Sequence, residues 1–409
     1  MKEITTEKMK SFFVKISDYP IISLFVLLYL VYFFGATNFF NEHDLLAFVA
    51  SRIQRYARYI ALLLFFIYFL GYKAEKKYLY YFVCFFLFYL VVKKYTSSHL
   101  LFNLIFIPLF LSQFVNKQRL CKALLIESLI CFSIISIGHY FGYFQTEPYS
   151  RFGLIRYTFG FGHPNTLGFI VLVFSFLYVQ RLNTVNIKDI AVIIFLIVFL
   201  YYIPRSMTPA FLLVLLSCFL IFLYFFETKI YAYFKNRRRK EILFYSVVFM
   251  YFSILFFTYF VSFTGFGKDF FLHLPGSIWA RFELGYIAYE RYGLSLFGTP
   301  IESIFPDPEK GITEYFTVDC AYFFVPINYG VVTFASYIVF MLFMFRKAVL
   351  ASNYKSIFIL LLISLYGISE TVIIHLIMVP LFVCALCSDT ALEQHKKTVS
   401  SINCVEKKA

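Results

Sequence analysis

The stretch RFGLIRYTFGFGHPNTLGF, residues 151–169, carries two arginines, a histidine and an asparagine directly before an apolar run. Asn165 is predicted to be the N-cap of the following helix, since an Asn side chain accepts hydrogen bonds from the first backbone N–H groups. A helix N-terminus attracts anions, and Arg151, Arg156 and His163 add positive charge or hydrogen-bond donors beside it. This spacing predicts a site for an anion such as a phosphate.

A similar arrangement occurs at Arg205, in the sequence RSMTPA. Thr208 is predicted to cap the next helix, with Pro209 at its first position. Together with Arg281, these residues predict a pocket for a phosphate-bearing substrate attached to a lipid, because the guanidinium fork matches phosphate oxygens. The alternative is that each arginine separately reaches the phosphates of lipid headgroups from the end of a helix.

The composition predicts a lipid-embedded chain that positions these residues on helices. Of the 409 residues, 61% are hydrophobic and 15% charged, and the mean hydropathy is +0.76. We therefore expect an all-α, polytopic membrane protein with a single domain over residues 1–409 and about twelve helices that cross a core of roughly 30 Å. The predicted spans are 20–38, 57–72, 78–92, 99–115, 120–144, 165–180, 188–203, 208–226, 242–263, 320–345, 355–369 and 371–387.

The distribution of basic residues predicts the orientation. With the N-terminus inside, 25 of the 37 Lys and Arg residues fall in inner segments. The positive-inside rule therefore places both termini in the cytoplasm. The basic run at 235–240 is interpreted as part of this orientation signal, which argues against nucleic acid as a partner. Most of the eight cysteines fall inside predicted spans, and no pattern of metal ligands is present, so neither a metal nor another cofactor is expected.

One connection is far longer than the others. Residues 264–318 form a predicted outer loop of about 55 residues, which makes it a candidate catalytic or binding region. Its middle segment, residues 277–298, places Trp279, Phe282, Tyr286 and Tyr289 at helical spacing. We expect a helix there that lies along the membrane surface.

Several motifs resemble those of a known family. They are RYTFGFGHPNTLG at 156–168, ARFELGYIAYERYGLSLFG at 280–298, VDCAYFFVPINYGVV at 318–332 and YGISE at 366–370. In type, order and spacing they are similar to the bacterial polysaccharide repeat-unit polymerases (Wzy type) of Gram-positive capsule and exopolysaccharide systems. The resemblance covers residues 150 to 375. The related O-antigen ligases have a His-Asn-x-Tyr type motif where this chain has Asp319-Cys-Ala-Tyr322.

The resemblance implies an enzyme of the bacterial cell membrane. Such a polymerase is a metal-independent glycosyltransferase that joins oligosaccharide repeat units carried on undecaprenyl pyrophosphate, at the outer face. A flippase and a chain-length regulator of the same pathway could be further partners. The resemblance assigns the pyrophosphate to the predicted anion-binding residues, and a base assists the acceptor hydroxyl. The predicted pyrophosphate-binding residues are Arg151, Arg156, Arg205, Arg281 and Asn165.

The candidates for the base are His163, Asp319 and Glu283. His163 could instead be a structural partner of the helix cap, and Asp319 could cap the next helix. Glu370, in YGISE, and Tyr322 are added because their stretches match the family.

Two other functions remain open from the sequence. A lipid-linked oligosaccharide flippase also has about twelve spans and basic inner loops, although such transporters usually have two related halves, which are not visible here. A transferase of the O-antigen ligase kind is the second alternative. The one-sided long loop favours the polymerase over the flippase.

Overall fold

The computed structural model describes most of the chain, and its backbone there is mainly α-helical. The described residues are 18–37, 43–71, 76–96, 99–144, 146, 148–151, 153–272, 278–304 and 316–387. Within these ranges the sheet consists of one short antiparallel hairpin. This architecture agrees with an all-α membrane protein.

The helices are numbered here in chain order. They are α1 Tyr19–Gly35, α2 Asp44–Gly71, α3 Lys76–Thr96, α4 Ile107–Leu111, α5 Lys117–Tyr140, α6 Pro164–Arg181, α7 Ile187–Tyr202, α8 Met207–Tyr233, α9 Arg237–Thr264, α10 Lys268–Leu272, α11 Ile278–Tyr292, α12 Ala321–Asn328, α13 Gly330–Leu350, α14 Tyr354–Tyr366 and α15 Val379–Leu386. Strands β1 Tyr149–Arg151 and β2 Leu154–Arg156 form the hairpin. A π-helix, Phe102–Phe106, precedes α4, and 3-10 turns occupy Ser112–Phe114, Thr371–Ile374 and Leu376–Met378.

Several helices have the length and composition of membrane spans. Within the described residues, five qualify: Leu79–Thr96, Lys117–Tyr140, Met207–Tyr233, Arg237–Thr264 and Gly330–Leu350. Shorter apolar helical segments occur at Tyr19–Gly35, Phe102–Phe114, Tyr354–Tyr366 and Leu376–Leu386. The chain thus has the helices of a multi-pass membrane protein. Twelve spans, the single domain and the outer position of the 264–318 loop stay predictions.

Side-chain caps explain where several helices begin. Asn116 accepts a hydrogen bond from the backbone N–H of Arg119 at the start of α5. Asn186 and Asp189 form a reciprocal capping box at the start of α7. These contacts satisfy N–H groups that have no partner inside the helix.

Two predicted spans are interrupted in the structure. The range 320–345 contains two helices, α12 and α13, which meet at Gly330 with φ of +88°. The range 371–387 begins with 3-10 turns and becomes α-helical only at Val379. Irregular backbone of this kind is tolerated in membrane proteins where it is buried in protein or lines a cavity. Apolar composition does not reveal such breaks.

Glycines allow the elements of the site to approach closely. A Cβ atom on Gly168, in α6, would lie 2.3 Å from Ser206 Oγ, just before α8. A Cβ atom on Gly285 would lie 2.5 Å from the ring of Phe323, so α11 packs against α12 at this position. The predicted helix in the long loop is confirmed as α11, but its Trp279 and Phe282 are buried against the protein. The position of α11 along the membrane surface stays a prediction.

Candidate functional site

A polar cavity lies where segments from five parts of the sequence meet. Its volume is about 580 Å³. Four aromatic side chains line it: Tyr32, Tyr149, Phe169 and Tyr366. Six of the residues singled out from the sequence also line it: Arg156, His163, Asn165, Arg281, Asp319 and Glu370. The size lies within the range of roughly 300–1,000 Å³ that is typical of small-molecule sites.

The hairpin, the segment before α8 and Asn165 hold Arg156 in place. Arg156 is 5% exposed and pairs in register with Tyr149 of β1. Its Nε donates to the carbonyl oxygen of Pro204 at 2.9 Å, and its NH2 group donates to Oδ1 of Asn165 at 2.8 Å. The two hydrogen bonds use different nitrogens of the guanidinium, so they fix both its position and its plane.

His163, rather than Asn165, caps α6. The Nδ1 atom of His163 accepts a hydrogen bond from the backbone N–H of Asn165 at 3.1 Å. Pro164 and Asn165 are therefore the first two helical residues, and the prediction of Asn165 as the N-cap was wrong. A second cap prediction was also wrong, because α8 begins at Met207, before Thr208. Imidazole rarely replaces Asn as a cap, so the pattern favoured the wrong residue.

The hydrogen bond to Nδ1 also assigns the tautomer of a neutral His163. An acceptor nitrogen carries no proton, so a neutral ring with this contact has its proton on Nε2. The ring edge also lies against Tyr149, with 4.9 Å between the ring centres. This tautomer suits a hydrogen-bond donor better than a base, because protonation of Nδ1 would break the cap.

The segment before α6 is attached to the end of α1. The backbone N–H of Gly162 donates to the carbonyl oxygen of Ala36 at 2.9 Å, and Thr37 forms an isolated β-bridge with Phe161. These contacts bring Tyr32, one turn earlier in α1, to the wall of the cavity. The N-terminal helix is thereby part of the site.

Arg281, Glu370 and Asn165 form a buried network. Arg281 is 8% exposed, and its Nε donates to the carbonyl oxygen of Ser369. Its NH2 group donates to Oε1 of Glu370 at 2.9 Å, and Nδ2 of Asn165 donates to the same oxygen at 3.3 Å. Because Asn165 also accepts from Arg156, a continuous chain of hydrogen bonds joins the two arginines.

Glu370 follows α14 in the non-helical residues 367–370, before the 3-10 turn. Burial raises the pKa of its carboxyl from the ordinary 4.5 to about 7, Arg281 opposes the rise and Asp319 adds to it. The cause is the loss of hydration of the ionised form, which two donors compensate only partly. Near neutral pH the carboxyl is therefore close to its titration midpoint.

Asp319 comes to the cavity through a backbone contact between two distant segments. The N–H of Ala321 donates to the carbonyl oxygen of Gly367 at 2.9 Å, which joins the start of α12 to the end of α14. The N-cap residue of α12 is Cys320. The alternative role of Asp319 as the cap is therefore wrong.

The other predicted site residues do not line the cavity, or their side chains lie outside the described part of the chain. Glu283 is exposed on α11, and Arg205, half-buried with φ of +49°, does not line the cavity. Tyr322 is buried but does not line the cavity, and its hydroxyl donates to the carbonyl oxygen of Ser364. Arg151 ends β1, and its side chain lies outside the described part of the chain.

The four aromatic lining residues were not predicted. Tyr366 stands in YGISE and Tyr149 stands two residues before Arg151, so proximity to the motifs could have indicated both. Phe169 stacks on Tyr366, with 5.9 Å between ring centres, and its edge contacts Tyr32. Nothing in the sequence distinguishes Tyr32, since 23% of all residues are aromatic.

The described residues contain no group of three or more His, Cys, Asp or Glu side chains placed to hold a metal ion. Independence from metals stays a prediction. Comparison with protein-family models, curated proteins and solved structures gives no match.

Proposed function

We propose that this chain is a polymerase that joins oligosaccharide repeat units carried on undecaprenyl pyrophosphate, at the outer face of the bacterial cell membrane. One observation carries the proposal: the separate segments with the family resemblance contribute Arg156, His163, Arg281, Asp319 and Glu370 to one cavity. These segments are spread over more than 200 residues of sequence. Their convergence is what a common substrate site requires.

The chemistry of the cavity suits a lipid pyrophosphate as the leaving group. In the proposed reaction, a sugar hydroxyl of the incoming unit attacks the anomeric carbon of the growing chain, and the bond to the pyrophosphate breaks. Negative charge develops on the phosphate oxygens as it does so. Arg156 and Arg281 are buried and fixed in advance, so they stabilise this charge without reorganisation at the moment of reaction.

His163 and the aromatic residues have supporting roles in this proposal. The Nε2–H donor of His163 and the N-terminus of α6 add hydrogen bonds to the phosphate region. Tyr32 and Tyr149 offer apolar ring surface together with a hydroxyl, which fits a sugar with one apolar and several polar sides. The polar groups and the rings together make the cavity suitable for a phosphorylated sugar.

The experiment that tests this function is the analysis of lipid-linked intermediates in a deletion strain. We expect single repeat units on the carrier, already exposed at the outer face, and no polymer, with polymer restored by the wild-type gene. Units that face the cytoplasm would contradict the proposal and indicate a flippase. Complete polymer that stays on the carrier would instead indicate a ligase.

A further inference from the structure

The cavity contains the carboxylate of Glu370, whose negative charge offsets the positive charge of the arginines beside it. Oε1 of Glu370 accepts hydrogen bonds from both Arg281 and Asn165. The Glu370 side chain is 15% exposed and that of Arg281 is 9% exposed, so water screens this pair only weakly. While Glu370 is ionised, its charge offsets much of the attraction of Arg281 for a phosphate.

Protonation would change this balance without moving the backbone. A neutral Glu370 still accepts hydrogen bonds at Oε1, but it no longer neutralises the guanidinium. The positive charge of Arg281 then acts on the cavity, where the pyrophosphate would be bound. The same proton could come from the acceptor hydroxyl, which must lose one during the reaction.

We propose that Glu370 takes the proton of the acceptor hydroxyl, and that its neutralisation directs the charge of Arg281 to the departing lipid pyrophosphate. This inference depends on the proposed function. It makes Glu370 the catalytic base and couples deprotonation of the acceptor to stabilisation of the leaving group. Both events then occur when negative charge develops on the phosphate.

The step balances in atoms and electrons. The acceptor O–H bond breaks and its proton passes to a carboxylate oxygen of Glu370. The electron pair of the acceptor oxygen forms the new bond to the anomeric carbon, and the bond from that carbon to the phosphate oxygen breaks with its pair on the pyrophosphate. The proton returns to water after the lipid pyrophosphate leaves.

Other carboxylates and the histidine fit this role less well. Glu283 is exposed outside the cavity, and His163 uses Nδ1 to cap α6. Asp319 lines the cavity and raises the pKa of Glu370, which favours proton uptake by Glu370. A carboxyl with a pKa of about 7 is suited to general base catalysis at neutral pH.

The test compares the Glu370→Gln variant with wild-type protein in lipid nanodiscs. Turnover of undecaprenyl-pyrophosphate-linked repeat units from the deletion strain is measured, together with binding of undecaprenyl pyrophosphate alone. We expect turnover to fall by about 100-fold or more, because the base is lost. Binding should stay equal or become tighter, by up to about tenfold, because the amide no longer offsets the charge of Arg281. Glu290→Gln, the same substitution at an exposed position of α11, should match the wild type.

The results distinguish a catalytic base from a residue that only positions Arg281, and both from failure of the proposed function. Turnover of Glu370→Gln within about threefold of the wild type would overturn the base assignment and leave the polymerase intact. Loss of binding together with turnover would show that Glu370 only positions Arg281, which also overturns the proposal. If the wild type makes no polymer, the proposed function itself fails. If Glu370→Gln does not fold, Glu370→Asp replaces it. Turnover should then fall because the carboxylate lies one methylene further from the acceptor, while binding should stay equal because the negative charge is kept. Unchanged turnover would overturn the base assignment.

Discussion

Asn165 donates a hydrogen bond to Glu370 across 205 positions of the sequence, with Nδ2 and Oε1 3.3 Å apart. The same amide accepts from Arg156 through Oδ1. Asn165 was expected to cap a helix, but its side chain instead connects the two halves of the cavity. This orientation is possible because His163 performs the capping.

The arginine contacts predict unequal effects of Arg→Lys substitutions. Arg156→Lys and Arg281→Lys should each reduce polymer formation by about 10- to 100-fold, since an ammonium group lacks the planar fork that makes two directed hydrogen bonds. Arg205→Lys, outside the cavity, should retain polymer. The measurement is polymer per cell at matched protein levels in the complemented deletion strain. Equal activity in all three variants would indicate that Arg156 and Arg281 contact lipid headgroups and do not bind the substrate.

Two substitutions at His163 separate its cap from its side-chain chemistry. His163→Ala should destabilise the protein by about 1 kcal/mol, because the cap is lost, and give little or no polymer. We expect the same result with and without divalent ions. His163→Asn should restore the melting temperature, since Asn is a good cap, but not polymer formation. If Asn restores both, the histidine serves only as a cap.

The pH dependence of polymerisation should have a rising limb near pH 7. Glu370 acts as a base only when ionised, so kcat/KM should increase as the pH rises through about 7 and level off above it. In the pH profile of kcat, the rising limb should lie at higher pH, because bound pyrophosphate disfavours the ionised form of Glu370. Among the described residues, the charged groups facing Glu370 are Arg281, Arg156 and Asp319, and the titratable hydroxyls are those of Tyr32 and Tyr366. Asp319→Asn should shift the rising limb to lower pH, because the negative charge that raises the pKa of Glu370 is removed. Loss of the rising limb in this variant would indicate that Asp319 is the titrating base.

The packing of α11 on α12 predicts the effect of a single methyl group. Gly285→Ala places a Cβ 2.5 Å from the Phe323 ring, so one of the two elements must shift. We expect a loss of about 1–3 kcal/mol in stability and reduced activity, since α11 carries Arg281. Gly35→Ala is the control, because a Cβ there meets no atom within 4 Å. Thermal melting in detergent measures both, and equal melting temperatures would contradict this account of the close contact.

The orientation can be tested by cysteine labelling in intact cells. On a cysteine-free background, Ser303→Cys should react with an impermeant reagent and Arg238→Cys should not, because the count of basic residues places 303 outside and 238 inside. Permeabilised cells provide the control that both positions can react. The reverse pattern would place the cavity on the cytoplasmic side and exclude an outer polymerase.

Composition and motif order predicted the helical class and part of the site. An apolar chain must satisfy its backbone hydrogen bonds internally in lipid, so helical class followed from 61% hydrophobic residues. Six predicted residues reach one cavity, and three of them, His163, Asn165 and Arg281, stand at helix starts. Arg281, for example, stands out as a charge in an aromatic helix.

Tertiary structure alone decided which charged residues meet. Arg156, Arg205 and Arg281 look equivalent in sequence, but the contact of Arg156 with the Pro204 carbonyl and that of Arg281 with Ser369 bring only these two to the cavity. The interruption of α12 and α13 at Gly330 is likewise invisible in an apolar run. Burial between packed elements, which gives Glu370 its raised pKa, depends on atoms hundreds of positions away and therefore has no local signal.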